Sequence, residues 1–194
     1  MQKENLTPRQ SLDLITQVIN QARSRFEENG FIYAFWGTLI ALASLGQFYL
    51  LQAGRTDIHW YPYLLLPLGF VFTTLYYIKK KKKRTKNVFD KSLAGLWNIL
   101  GLYMMVLGFL FAGQLRENLL PVILLLLSVG MTVSGILIRQ RILLFSGVLI
   151  GGAGIYAFSV DLMHQPLLTG IIAIIAILIP GIVLMYRHKR LNNV

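Results

Sequence analysis

Cysteine is absent from the 194-residue chain. That excludes a disulfide framework, a thiolate zinc site and a cysteine nucleophile. Acidic residues are scarce, eight against nineteen lysines and arginines. All of them (Glu4, Asp13, Glu27, Glu28, Asp57, Asp90, Glu117 and Asp161) fall outside the long apolar stretches, as do the histidines His59, His164 and His188. Ionisable residues within membrane segments mark proton relays, ion pathways and counter-ions. Their absence argues against a proton-coupled transporter, a pump or an intramembrane acid–base enzyme. The sequence also has no Walker lysine motif, no Gly-x-Ser-x-Gly elbow and no His-Glu-x-x-His helix. It contains no catalytic constellation and implies no cofactor.

What is present is apolar. Hydrophobic residues make up 55% of the chain and charged residues only 14%, against roughly half and a quarter in a soluble domain. The excess lies in blocks of about 20 residues, the length a helix needs to cross about 30 Å of hydrocarbon. These features predict an all-α membrane protein: a six-transmembrane-helix bundle behind a cytosolic or interfacial amphipathic helix. The spans are expected at about 31–51, 60–78, 93–113, 119–138, 142–160 and 166–186, with a basic tail over 187–194. The amphipathic helix occupies 1–30. Thr7, Pro8 and Gln10 form its capping start, Asn29-Gly30 its stop, and Leu12, Ile15, Ile19, Ala22 and Phe26 its apolar stripe. The first apolar block follows a segment of mixed charge, so the first span is expected to be a retained signal anchor rather than a cleaved leader.

Net charge is +11. The basic residues sit beside apolar segments, which ties them to topology and anionic lipid rather than nucleic acid. The densest run is Lys79, Lys80, Lys81, Lys82, Lys83, Arg84 and Lys86, between the second and third spans. It lacks the interleaved aromatics of a single-strand platform. It is expected to contact headgroups of the cytoplasmic leaflet. With the N-terminus inside, only Arg55 and Arg116 of the 19 basic residues lie outside. This strong positive-inside bias predicts an even number of spans with both termini cytoplasmic. Trp60, Tyr61 and Tyr63 are expected at the outer interface, and Tyr76, Tyr77 and Tyr186 at the inner one.

Helix packing in lipid relies on small residues and polar side chains. Gly147, Gly151 and Gly154 share one face of the fifth span. Ala94, Asn98, Gly101, Gly108 and Ala112 share one face of the third. Both faces read as helix–helix seams, open to self-association or to another membrane protein. Asn98 is expected to hydrogen-bond a neighbouring helix, a contact worth about 0.6–2 kcal/mol; the alternative is a ligand in a bundle cavity. Gln47 is read the same way. Pro180-Gly181 is expected to kink the sixth span. Trp36 with Gly46 and Trp97 with Gly108 recur at unequal spacing, which does not establish a repeat. Asp57 with His59 and Asp161 with His164 offer carboxylate and imidazole that would suit zinc or manganese if the two loops met. As a ligand pattern they are weak, and no metal is assigned.

The residues Thr7-Pro8, Ser11-Leu12, Ile15, Ile19, Gly30-Phe31-Ile32-Tyr33 and Trp36-Gly37 carry a family likeness. The first 50 residues resemble a group of small multi-span bacterial inner-membrane proteins, mostly of Bacteroidetes type, with an amphipathic N-terminal helix. The resemblance implies a bacterial inner-membrane location and brings no activity or ligand residues with it. The functional expectation is a non-enzymatic regulatory, accessory or scaffolding component; the alternative is a small permease or channel for a neutral or lipid-like substrate. A reporter inserted between Lys82 and Lys86 should read as cytoplasmic. A periplasmic signal there would overturn the orientation of every span.

Overall fold

The computed structural model describes residues 30–81 and 88–192, together with Arg9, residues 12–14 and Thr16 ahead of them. Those five N-terminal residues are helical and exposed. The rest of the expected amphipathic helix, the Lys82–Lys86 portion of the basic run and the last two residues lie outside the described residues.

Among the described residues every regular element is a helix. Helix α1 spans Gly30–Gln52. A 3-10 turn over Tyr61–Leu64 leads into α2, Leu65–Lys81. Helix α3 spans Val88–Leu110 and is followed by a one-turn helix α4, Ala112–Leu115. Helices α5 (Leu119–Leu137) and α6 (Arg141–Ala157) form a hairpin. The last apolar segment is one composite rod: α7 (Gln165–Ala173), a π-helical turn (Ile174–Leu178) and α8 (Ile179–Asn192). Pro67, Pro121 and Pro166 all sit in a first helical turn, where the missing N–H has no intrahelical acceptor anyway.

Five stretches are long and apolar enough to cross a membrane: Gly30–Gln52, Tyr61–Lys79, Lys91–Leu110, Ala112–Leu137 and Gln165–Arg187. Arg141–Ala157 is apolar but shorter, 17 residues, or about 26 Å at 1.5 Å per residue. It lies antiparallel against α5 over its whole length and makes up the sixth crossing. The chain is an all-α, multi-pass membrane protein.

Three expectations shift. The third apolar run continues past Leu110, but Phe111 leaves helical geometry (φ −114°, ψ 8°) and ends α3 there. The fifth span stops at Ala157 rather than 160, because Phe158–Val160 form turns back onto Ile155, Tyr156 and Ala157. The irregularity in the last segment is not at Pro180-Gly181 but one turn earlier, in the π-helical residues Ile174–Leu178. A proline ring clashes with the carbonyl four residues before it. For Pro180 that carbonyl belongs to Ala176, inside the π turn, whose wider winding relieves the conflict.

Close backbone approach organises the bundle into two antiparallel seams. On α1, Gly30, Ala34, Gly37 and Ala41 face the last segment. A Cβ on Gly37 would lie 2.5 Å from the Leu178 nitrogen, and one on Gly30 2.7 Å from the Gly181 carbonyl. Gly181 meets Ala34, and Gly170 meets Leu45 and Ala41. In the second seam Gly135 faces Leu144, Gly147 faces Thr132, Gly151 faces Ser128 and Gly154 faces Leu125. These four pairs keep a single antiparallel register. The core lies between the seams, with Leu124, Met131, Ile138, Leu143, Ile150, Ala173, Ala176 and Leu184 almost wholly buried. Helices α2 and α3 ride on the outside: 6% and 11% of their spans are buried, against 50% for the last segment.

These outer helices are attached by a repeated device. Trp36 Nε1 donates to Thr73 Oγ1 at 3.1 Å, and Trp97 Nε1 to Ser134 Oγ at 3.1 Å; both bonds join residues 37 apart. Thr73 in turn donates to the Gly69 carbonyl (2.8 Å), and Ser134 to the Gly130 carbonyl (2.7 Å). Gly69 is packed by Leu39 and the Trp36 ring, and Gly130 by Leu100 and the Trp97 ring. Every member of one set maps onto the other with the same offset: 36 to 97, 39 to 100, 69 to 130 and 73 to 134. The α1–α2 and α3–α5 hairpins are therefore two parallel copies of one unit.

The seams make a prediction. Gly37→Leu should cost about 3 kcal/mol or more through overpacking and lower the unfolding temperature in detergent. Gly152→Leu, where nothing lies within 4 Å of an added Cβ, should change stability by less than about 0.5 kcal/mol.

Candidate functional site: the polar interior and its edges

The buried polar side chains are Ser44, Gln47, Ser134, Gln140, Ser146, Gln165 and Thr169. All are neutral. Several are satisfied by their own helix: Ser134 bonds the Gly130 carbonyl, Ser146 that of Ile142 (2.8 Å) and Thr169 that of Gln165 (2.9 Å). Such back-bonding is how a hydroxyl is carried at membrane depth without an interhelical partner.

The others act between elements. Two of these are the tryptophan clasps, and the second is reinforced from α1. Tyr33 meets the Trp97 ring edge-on at 6.4 Å and also engages Ser134. One small polar group thus ties together α1, α3 and α5. At the end that carries the 53–60 and 158–164 loops, Ser44 pairs with the Tyr63 hydroxyl (3.2 Å) and Gln47 with the His59 ring nitrogen Nδ1 (2.9 Å). Gln165 donates to the carbonyls of Ala157 (3.2 Å) and Val160 (3.0 Å), closing the α6–α7 loop. The side-chain carbonyl oxygens of Gln47 and Gln165 are buried without a partner. An orphaned acceptor of this kind costs about 1–3 kcal/mol.

The weak metal candidates His59, Asp161 and His164 are engaged by other partners. His59 is engaged by Gln47, and Asp57 is exposed. Asp161 accepts from the His164 ring (2.8 Å) and from its backbone N–H (2.9 Å), forming a turn ahead of α7. These hydrogen bonds hold the Asp161 carboxyl below the usual carboxylate range. No group of three or more His, Asp or Glu side chains with metal-binding geometry exists among the described residues. The ring of His164 lies against Phe48 instead, at 6.1 Å.

Asn98 is a correction. Hydropathy placed it deep and bonded to a neighbouring helix; it is exposed on the outer side of α3. Trp97 and Leu100 take the inward face, and the helical turn carries Asn98 away from them. The rest of its seam is open too. Ala94 is exposed, Gly95 and Gly108 have nothing within 4 Å of an added Cβ, and Gly101 meets only the Phe70 ring at 3.9 Å. Of the basic run, Lys79 is exposed at the end of α2.

Sequence reasoning missed three features. The Gly30, Ala34, Gly37, Ala41 stripe was legible as small residues at alternating spacings of four and three. The duplication was legible as Leu-Leu-Leu followed by glycine and then a hydroxyl residue (Leu64, Leu65, Leu66, Gly69, Thr73 and Leu125, Leu126, Leu127, Gly130, Ser134), with every position in the same step. The third, a cavity of about 320 Å³ lined by Arg139, Gln140, Arg141, Ile142 and Arg187, joins residues far apart in the chain and had no local signal.

Comparison with family models, characterised proteins and solved structures finds no match.

The second clasp can be weighed directly. Trp97→Phe, Ser134→Ala and the double variant should give a coupling energy of about 0.6–2 kcal/mol in detergent unfolding. Strict additivity would show that the bond contributes nothing to the fold.

Proposed function

We propose that the protein is a non-enzymatic component of the bacterial inner membrane, with both termini cytoplasmic, that acts by associating with other membrane proteins or with itself. The supporting observation is the state of its seams. The glycine faces of α1 and α6 are filled from within the chain, whereas the Ala94, Asn98 and Gly108 face of α3 is open. A carboxamide turned toward lipid is an unfavourable arrangement. A helix brought against this face would both cover the small residues and take up the Asn98 donors and acceptor. The basic loop and tail act on this view as orientation signals and as contacts for anionic lipid of the cytoplasmic leaflet.

The absence of cysteine makes the test clean. A single Asn98→Cys variant in native membranes should form a crosslinked species with a thiol-reactive bifunctional reagent. Ala153→Cys, in the buried core, should not. Failure of Asn98→Cys to give any adduct larger than the monomer would remove the association reading.

A further inference from the structure

The α5–α6 turn carries an arrangement that orientation alone does not require. Its cavity of about 320 Å³ is lined by Arg139, Gln140, Arg141, Ile142 and Arg187. Three arginines line it, two from the turn and one from α8. Among the described residues none of these arginines is paired with a carboxylate; the ion pair present is Asp161 with His164, in the 158–164 loop at the other end of the bundle.

The backbone adds to the same field. Gln140 precedes α6 in extended geometry (φ −100°, ψ 103°), and its carbonyl accepts from the Leu143 and Leu144 N–H groups (both 3.2 Å). The positive end of the α6 dipole lies where Gln140, Arg141 and Ile142 line the cavity. Arginine suits this position better than lysine would. Its planar fork holds two oxygens of one phosphate at once, whereas an ammonium is a point charge. Tyr186, exposed beside Arg187, marks the depth at which headgroups lie.

We infer that this cavity binds a phosphate group, carried either by an anionic phospholipid or by a small soluble phosphate. The assignment does not depend on the association reading. It differs from the diffuse attraction expected of the lysine run, because the backbone that carries the three arginines is set by the hairpin turn and by the packing of Leu143 and Leu184, both fully buried.

The test uses the full chain in a neutral detergent. Retention of phosphatidylglycerol and of phosphatidylcholine is counted by native mass spectrometry, and unfolding temperature is followed as inorganic phosphate is added. The main variant is Arg139→Gly with Arg187→Gln. Glycine suits the left-handed backbone at position 139 (φ 52°), so this change does not disturb the turn. Lys80→Gln with Lys81→Gln removes the same charge elsewhere. The proposal expects the arginine variant to lose about tenfold in phosphate-group affinity and the lysine variant to lose much less. Preferential retention of phosphatidylglycerol with no response to inorganic phosphate identifies the lipid as the source; stabilisation by inorganic phosphate identifies a soluble ligand. Arg187→Lys, which keeps the charge, should weaken binding without changing the unfolding temperature measured with neither ligand present. Equal losses in the arginine and lysine variants, or no loss in the arginine variant, would overturn the assignment.

Discussion

Lipid tails are as apolar as leucine, so nothing resembling the hydrophobic effect pulls one transmembrane helix onto another. What holds this bundle is the approach of backbone to backbone at glycine. Where a Cβ would collide with the neighbouring main chain, as at Gly37 against Leu178 or Gly135 against Leu144, two helices share many dispersion contacts that a larger side chain would prevent. Each seam keeps one register along its length. The other helices take their positions from these two pairs.

The duplicated hairpins use the seams differently. In the first copy the tryptophan-bearing helix, α1, is central and its partner α2 rides outside. In the second copy the tryptophan-bearing helix, α3, rides outside and its partner α5 is central. The clasp works in both settings because it needs only an indole N–H, a hydroxyl and a glycine for the ring to lie on. The last hairpin has no tryptophan and serves as the closure, α6 zipping onto α5 and the α7–α8 rod onto α1. Tyr33, reaching from α1 to Trp97 and Ser134, is the polar link between the two copies.

Chemistry is confined to the edges. The buried polar groups are neutral and mostly spent on their own backbone or on a neighbour. Arg139, Arg141 and Arg187 lie at one end of the bundle, and Asp57, His59, Asp161 and His164 at the other. The open face of α3 and the arginine-lined cavity are the two exposed places to which binding is assigned by proposal, and the orphaned carbonyl oxygens of Gln47 and Gln165 lie buried elsewhere.

The helical class, the number of apolar segments and most of their limits were legible in the amino-acid sequence, because hydrocarbon thickness sets segment length and backbone satisfaction leaves no other local structure. The glycine face of α6 was legible for a related reason: its partner α5 is the next helix in the chain, joined by a turn too short to permit anything else. Depth and side were not legible. Periodicity placed Asn98 on a face with Gly101 and Gly108 but could not say whether that face met protein or lipid; Trp97 decided it by claiming the inward direction. Hydropathy carried the third span past Phe111, where the backbone breaks, and attributed to Pro180-Gly181 an irregularity that the π turn absorbs one turn earlier. The repeat was missed because Trp36 and Trp97 were matched with Gly46 and Gly108 on their own helices, whereas the glycines that meet the rings, Gly69 and Gly130, lie on the partner helices. The arginine cavity joins positions 139–142 to position 187, and only the packing of α8 beside the α5–α6 turn brings them together. Sequence by itself determined what each segment is; the tertiary structure alone decided what each segment faces, because in a bilayer the partner of a helix is chosen by shape and not by hydrophobicity.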